Sequence, residues 1–198
     1  MEVEGLLLAA GAGRRAGGPK ALRSDLTGRP WVQHGVDVLL SGGCRRVHVV
    51  VGAAGDEVAA LLAGLERVAV VRCSEWSRGM GASLRSGLTS LDPAATDAVL
   101  VHLVDLPDVD ARVVTRVAAR AGRTALARAT YEGRPGHPVL IGAGHWSALL
   151  AGLDDEGGAQ AYLRAHDAET VECADLATGK DVDGPVGTSA ELVEADRA

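Results

Sequence analysis

A chain of 198 residues with 26 glycines, no phenylalanine and a formal net charge of −6 can bury one substantial core, but it lacks the broad basic face that nucleic-acid or anionic-membrane binding requires. Its three cysteines, Cys44, Cys73 and Cys173, lie far apart without a C-x-x-C pair, so neither a disulfide framework nor a zinc site is expected. Met1 is followed by acidic residues, and the apolar run at 6–10 is too short for a signal peptide or a membrane span, so the expectation is a cytoplasmic protein without membrane or nucleic-acid partners.

In chain order, the first element is GLLLAA, an apolar run that stops at Gly11 and reads as a strand buried on both faces. WVQHGVDVLLSGG then sets Trp31, Val32, Val36, Leu39 and Leu40 on one helical stripe, closed by Gly42 and Gly43. VHVVVGA reads as a second strand, 56–65 as a helix and VAVV as a third strand. SRGMGASLRSGL is a helix that opens at glycines with Ser83 in its first turn, and DAVLVHLVD is a fourth strand before a helix over 111–121. This alternation predicts right-handed βαβ crossovers and an α/β fold, a three-layer α/β/α sandwich around a mostly parallel, Rossmann-like sheet. Further on, TALARATYEG and HPVLIG read as strands with GRPG between them. A helix around 157–166, a strand TVEC and a last helix from Ser189 follow. No repeat or linker interrupts the pattern, so one domain over 1–198 is expected.

Ligands of open α/β sheets bind beyond the carboxyl ends of the strands, and two such ends carry chemistry here. After the first strand comes GAGRRAGGPK. Gly11, Gly13 and Ala16 satisfy the G-x-G-x-x-G/A pattern of a dinucleotide-dependent oxidoreductase, but Gly17, Gly18 and Pro19 break the helix that should begin there, and the second strand ends without a ribose-binding acid. The P-loop pattern fails too, because Pro19 separates Gly18 from Lys20 and no Ser or Thr follows the lysine. What remains is either a long loop that wraps a triphosphate, with charge from Arg15 and Lys20, or a basic loop facing water. At the end of the fourth strand, Asp105 precedes Pro107, which leads the chain out of the sheet. One carboxylate plus substrate phosphates suffices for Mg²⁺; the alternative is a turn-initiating aspartate. Asp108 and Asp110 read as caps of the helix that begins near Ala111.

Leu8-Ala9-Ala10-Gly11, Arg15, Gly17, Pro19 and Lys20 together resemble the L-A-A-G-x-x-x-R-x-G-x-P-K signature of the small nucleotidyltransferases that activate molybdenum cofactor, the molybdopterin cytidylyltransferases and their guanylyl relatives, with a GT-A-like Rossmann-type fold. SEWSRGMGASLRSGL, VDLPDV, GRPGHPVLIG and DDEGGAQAYL are similar to further blocks of that family, in the same order along nearly the whole chain. The resemblance implies a nucleotide-binding half at 1–110 and an acceptor-binding half at 111–198. In the first half, Leu8, Ala9, Ala10, Gly11, Gly13, Arg15, Lys20, Ser83 and Asp105 would contact the nucleotide, with Lys20, Arg15 and Asp105 catalytic. Asp105 would bind Mg²⁺, with Asp183 of KDVDGP as a second ligand, while His137 and Asp155 would face the acceptor. The reaction it implies is transfer of a nucleoside monophosphate to molybdopterin with release of pyrophosphate, and a molybdoenzyme would receive the product. CTP is favoured over GTP, because Ala10 stands where guanylyl enzymes tend to have Gly. Several positions depart from the pattern: Val104 replaces a Gly, Ala16 a Met and Ala82 a Ser, and the DDEGG loop has lost a Gly and an Arg. An oxidoreductase and a non-catalytic nucleotide or cofactor carrier are the alternatives.

Overall fold

Strand β1 (Val3–Ala9) is buried along its whole length because it sits inside the sheet, with β2 (Val47–Val51) and β4 (Ala98–Leu103) paired parallel on either side. In the computed structural model, which describes residues 1–182, β3 (Val68–Arg72) extends the parallel side beyond β2. On the other side β6 (Arg134–Gly142) runs antiparallel between β4 and β5 (Leu126–Tyr131), and β7 (Glu169–Glu172) pairs parallel with β5. The seven strands lie in the order β3-β2-β1-β4-β6-β5-β7.

The pleat sends alternate residues of the central strands into two separate cores. Leu7, Val49, Leu100 and Leu140 pack with α1 (Trp31–Ser41), α2 (Gly55–Leu62) and α4 (Ala111–Ala118) through Val32, Val58 and Val113. Leu6, Val99, Val101 and Ile141 pack on the opposite face with α3 (Met80–Thr89), α5 (Ala143–Gly152) and α6 (Gln160–Ala165) through Leu84, Leu149 and Leu163. The three-layer, mostly parallel α/β/α sandwich expected from the alternation is therefore present. Among the described residues, no helix is long and apolar enough to cross a membrane.

Three local expectations are corrected. GRPG is not the turn between β5 and β6: residues 134–136 already belong to β6, and the reversal is made by Glu132 and Gly133, both with positive φ (53° and 74°). Helix α5 was not anticipated. Its buried Ala143, Trp146 and Leu149 are set among glycines and alanines with only His145 and Ser147 polar, so no charged face marks it in the sequence. Asp110 does cap α4, its side chain accepting from the Arg112 N–H at 2.8 Å, but Asp108 instead accepts from the N–H and hydroxyl of Thr178. Asp183 and the helix expected from Ser189 lie outside the described residues.

Candidate active site

The site begins where β1 runs out. Ala10 O accepts from Ala53 N at 3.0 Å, which ties the chain after β1 to the chain after β2. Gly13 then turns into the left-handed region (φ 57°, ψ 37°), and its carbonyl accepts from both Ala16 N (2.9 Å) and Gly18 N (3.1 Å), folding the loop over itself. A Cβ at Gly13 would stand 1.8 Å from Gly18 O, so the loop closes this tightly only with glycine there. The N–H groups of Gly11, Ala12 and Gly13 have no backbone acceptor among the described residues and are free to receive an anion.

A single turn of 3-10 helix, Lys20–Leu22, brings the chain back across the strand ends. Lys20 Nζ there lies 2.8 Å from Asp105 Oδ2, with the two side chains 14% and 20% exposed. Asp105 sits two residues past β4, and β4 is the parallel neighbour of β1, so sheet order alone places the carboxylate opposite the glycine loop. Between them is a cavity of about 510 Å³. Leu8, Ala10, Gly11 and Gly13 line its loop side, and Lys20, Ser83 and Asp105 its other walls. Ala9 does not reach it; its side chain packs in the core on the opposite face. Arg15 has its backbone in the loop's short helical turn, and its side chain is outside the described set. Sequence reasoning gave Trp76 and Met80 no role, yet both line this cavity. The tryptophan packs where Gly52 leaves space, since a Cβ there would be 2.6 Å from Trp76 Cβ.

A second cavity, about 340 Å³, adjoins the first across Leu8 and Met80 and is lined in part by His137 and Arg128. Residues 154–158 lie beside both cavities as a clasp on α3. Asp155 O accepts from Gly81 N at 2.7 Å, its carboxylate pairs with Arg78 at 2.5 Å, and a Cβ on Gly81 would meet Asp154 O at 1.9 Å. The Asp155 side chain thus anchors the clasp, while its neighbours Glu156 and Gly157 line the cavity.

Burial pushes the pKa of the His137 imidazole down to about 4; Arg128 adds to the effect, and Asp105 opposes it. His102, buried on β4, is pushed down to about 3 by burial, then by His137 and His34. Both imidazoles are neutral at physiological pH. Among the described residues, no group of three or more His, Cys, Asp or Glu could hold a metal ion. The single carboxylate Asp105, facing a cavity sized for phosphates, nevertheless fits a cation such as Mg²⁺ or Mn²⁺ that takes most of its ligands from water and substrate.

The profile of the MobA-like NTP transferase domain matches residues 5–171. The chain belongs to this family. A related MobA-like protein, the nicotine blue oxidoreductase of Paenarthrobacter nicotinovorans, is 39% identical over 195 residues, covering 91% of this chain and 92% of that one. Among solved structures, the homolog of Mycobacterium tuberculosis Rv0371c from Mycobacterium sp. strain JC1 superposes with a TM-score of 0.72 at 27% identity, covering 92% of this chain and 90% of that one. The manganese complex of Rv0371c from M. tuberculosis H37Rv shares the fold, with a TM-score of 0.69 at 22% identity over 99% of this chain and 97% of that one. The family resemblance carried by residues 8–20 is thus borne out, and the chain is a nucleotidyltransferase of the MobA-like family.

Proposed function

We propose that this MobA-like protein transfers a nucleoside monophosphate, CMP, from its triphosphate to a small phosphorylated acceptor, molybdopterin, with release of pyrophosphate. The observation that supports this reading is the Lys20–Asp105 pair at 2.8 Å on the wall of the first cavity, opposite glycine-loop N–H groups that meet no backbone acceptor among the described residues. The loop N–H groups and the Lys20 ammonium take the anionic oxygens of the triphosphate, with Arg15 as a second cation. Asp105 would hold the divalent cation, with Asp183 as a second carboxylate, and the cation would neutralise charge on the phosphates. Lys20 exchanges its contact with Asp105 for the phosphates as the nucleotide enters. The acceptor, next to His137 and the Asp155 clasp, attacks through a phosphate already anionic at neutral pH, so the chain needs to supply positioning and charge rather than a general base. The setting is the cytoplasm, with a molybdoenzyme receiving the product.

Pyrophosphate release, measured with CTP, GTP, ATP or UTP and Mg²⁺ or Mn²⁺, with and without molybdopterin, tests this directly. Release that requires both CTP and the pterin is expected; release with none of the four sinks the reading.

A second reading, oxidoreduction, is favoured by the name of the 39%-identical relative, which aligns over 92% of its length. Against it, the first α-helix after β1 starts only at Trp31, and β2 runs into Gly52, Ala53 and Ala54, with no acid placed for a ribose. Titration of NADH and NADPH fluorescence, with nicotine blue as the trial electron acceptor, separates the two readings.

A further inference from the structure

The second cavity is walled differently from the first. Its floor is one face of the sheet: Val101, Val139 and Arg128 are cross-strand partners in a single row over β4, β6 and β5, and Ile141 lies on the same face two residues along β6. Leu84 of α3 and Leu163 of α6 add apolar walls, with Leu8 and Met80 on the side of the first cavity. A sheet face bounded by two helices makes a slot suited to a flat body. Asn, Asp, Ser and Thr side chains are absent from this lining, so the edges of a bound ring find few groups to read them.

The polar side chains are Arg128, His137, Glu156 and Gln160. Arg128 is half-buried, its Nε is buried without a hydrogen-bond partner, and its guanidinium reaches only Gly136 O, at 3.4 Å. Among the described residues, no carboxylate pairs with it. Burial and then Arg164 lower its pKa, Arg128 in turn lowers that of His137, and Glu156, which is exposed, is the carboxylate of the described lining. A half-buried guanidinium whose Nε meets no acceptor is stabilised by an anion that reaches it.

We propose that this slot takes an acceptor with a flat, largely apolar body and one anionic group, the body lying face-on against Val101, Val139 and Ile141 and the anion pairing with Arg128. Selection is by shape and charge, so aromatic anions other than pterins are admitted. The inference rests on the reading of this cavity as the acceptor side, and its test needs no turnover.

Naphthyl phosphate, naphthoate and naphthol are titrated by fluorescence against the full chain saturated with CTP and Mg²⁺, with inorganic phosphate as competitor. Naphthyl phosphate or naphthoate is expected to bind at least about tenfold more tightly than naphthol, and the stronger of the two identifies the anion class. Arg128→Gln should weaken that anion at least about tenfold without changing naphthol or CTP binding, and Arg128→Lys should restore part of the loss. If the glutamine variant does not fold, Leu163→Trp decides in its place by filling the slot and excluding the naphthyl ring. Equal binding of naphthol and both anions, or indifference to Arg128→Gln, would overturn the proposal. Anion binding without pyrophosphate release would leave the slot assignment standing while the transfer reading fell.

Discussion

Replacing Lys20 by Met separates two tasks that one ammonium performs. At 2.8 Å from Asp105, its Coulomb attraction at an effective dielectric of about 20 is roughly 6 kcal/mol. Both side chains keep some solvent contact, at 14% and 20% exposure, and both lose hydration in pairing, so the net attraction is about 2 kcal/mol. In the nucleotide-free protein, a divalent cation must displace this ammonium to reach the carboxylate. Lys20→Met should therefore raise Mn²⁺ affinity by about ten- to thirtyfold, measured by paramagnetic resonance of free Mn²⁺, while lowering pyrophosphate release at least about a hundredfold through loss of phosphate contact. The two effects have opposite signs, which a merely unfolded variant cannot reproduce. Unchanged or weaker Mn²⁺ binding would refute Asp105 as the metal ligand, and undiminished pyrophosphate release would remove Lys20 from the phosphates.

Asp105→Asn should keep the fold, checked by circular dichroism, and lose at least about two orders of magnitude in metal-dependent pyrophosphate release. Gly13→Ala forces a side chain into the left-handed region and against Gly18 O, so nucleotide affinity by calorimetry should fall at least about tenfold, with only a small change in melting temperature because the loop lies outside both cores. Buried His102 takes a proton in the folded state only near pH 3, whereas the unfolded chain takes one below its ordinary 6.5, so stability declines as pH falls from about 6.5 towards 3, by up to about 5 kcal/mol from this residue. Urea unfolding near neutrality and at about pH 4 should show the decline, and His102→Leu should make it shallower, leaving the part that His137 carries; an equally steep decline in the variant would assign the acid sensitivity elsewhere.

The elements legible in the sequence were those whose burial is decided locally. β1, β2 and β4 are covered on both faces, which leaves continuous Val/Leu runs, and glycines or Pro107 mark their ends. Their strand ends then imply where Lys20 and Asp105 stand, and the structure brings the two into contact. Features decided by distant neighbours were hidden. Pro135 and Gly136 have turn chemistry but sit in a strand held by a β5 partner whose register shifts between Arg128 and Thr130. Asp108 looks like a cap, yet its partner Thr178 lies 70 residues away. Arg128, between two alanines, carries no sequence signal of a cavity; its place beside one follows from the register of β5 with β6 and from α3 and α6 lying over that face.

The same division explains why membership of this family leaves the acceptor open. The first cavity is made from the loop after β1, the turn after β4 and the start of α3 with Trp76 before it, whereas the second is made chiefly from a face of β4, β6 and β5 and the sides of α3 and α6. Only Leu8 and Met80 belong to both linings. Side chains on the slot floor can therefore change size or charge without moving the glycine loop, Lys20 or Asp105. A chain can keep the nucleotide machinery of a MobA-like protein while its second cavity changes, and the proposed role of Arg128, whose guanidinium meets no carboxylate among the described residues, is tested on that cavity alone.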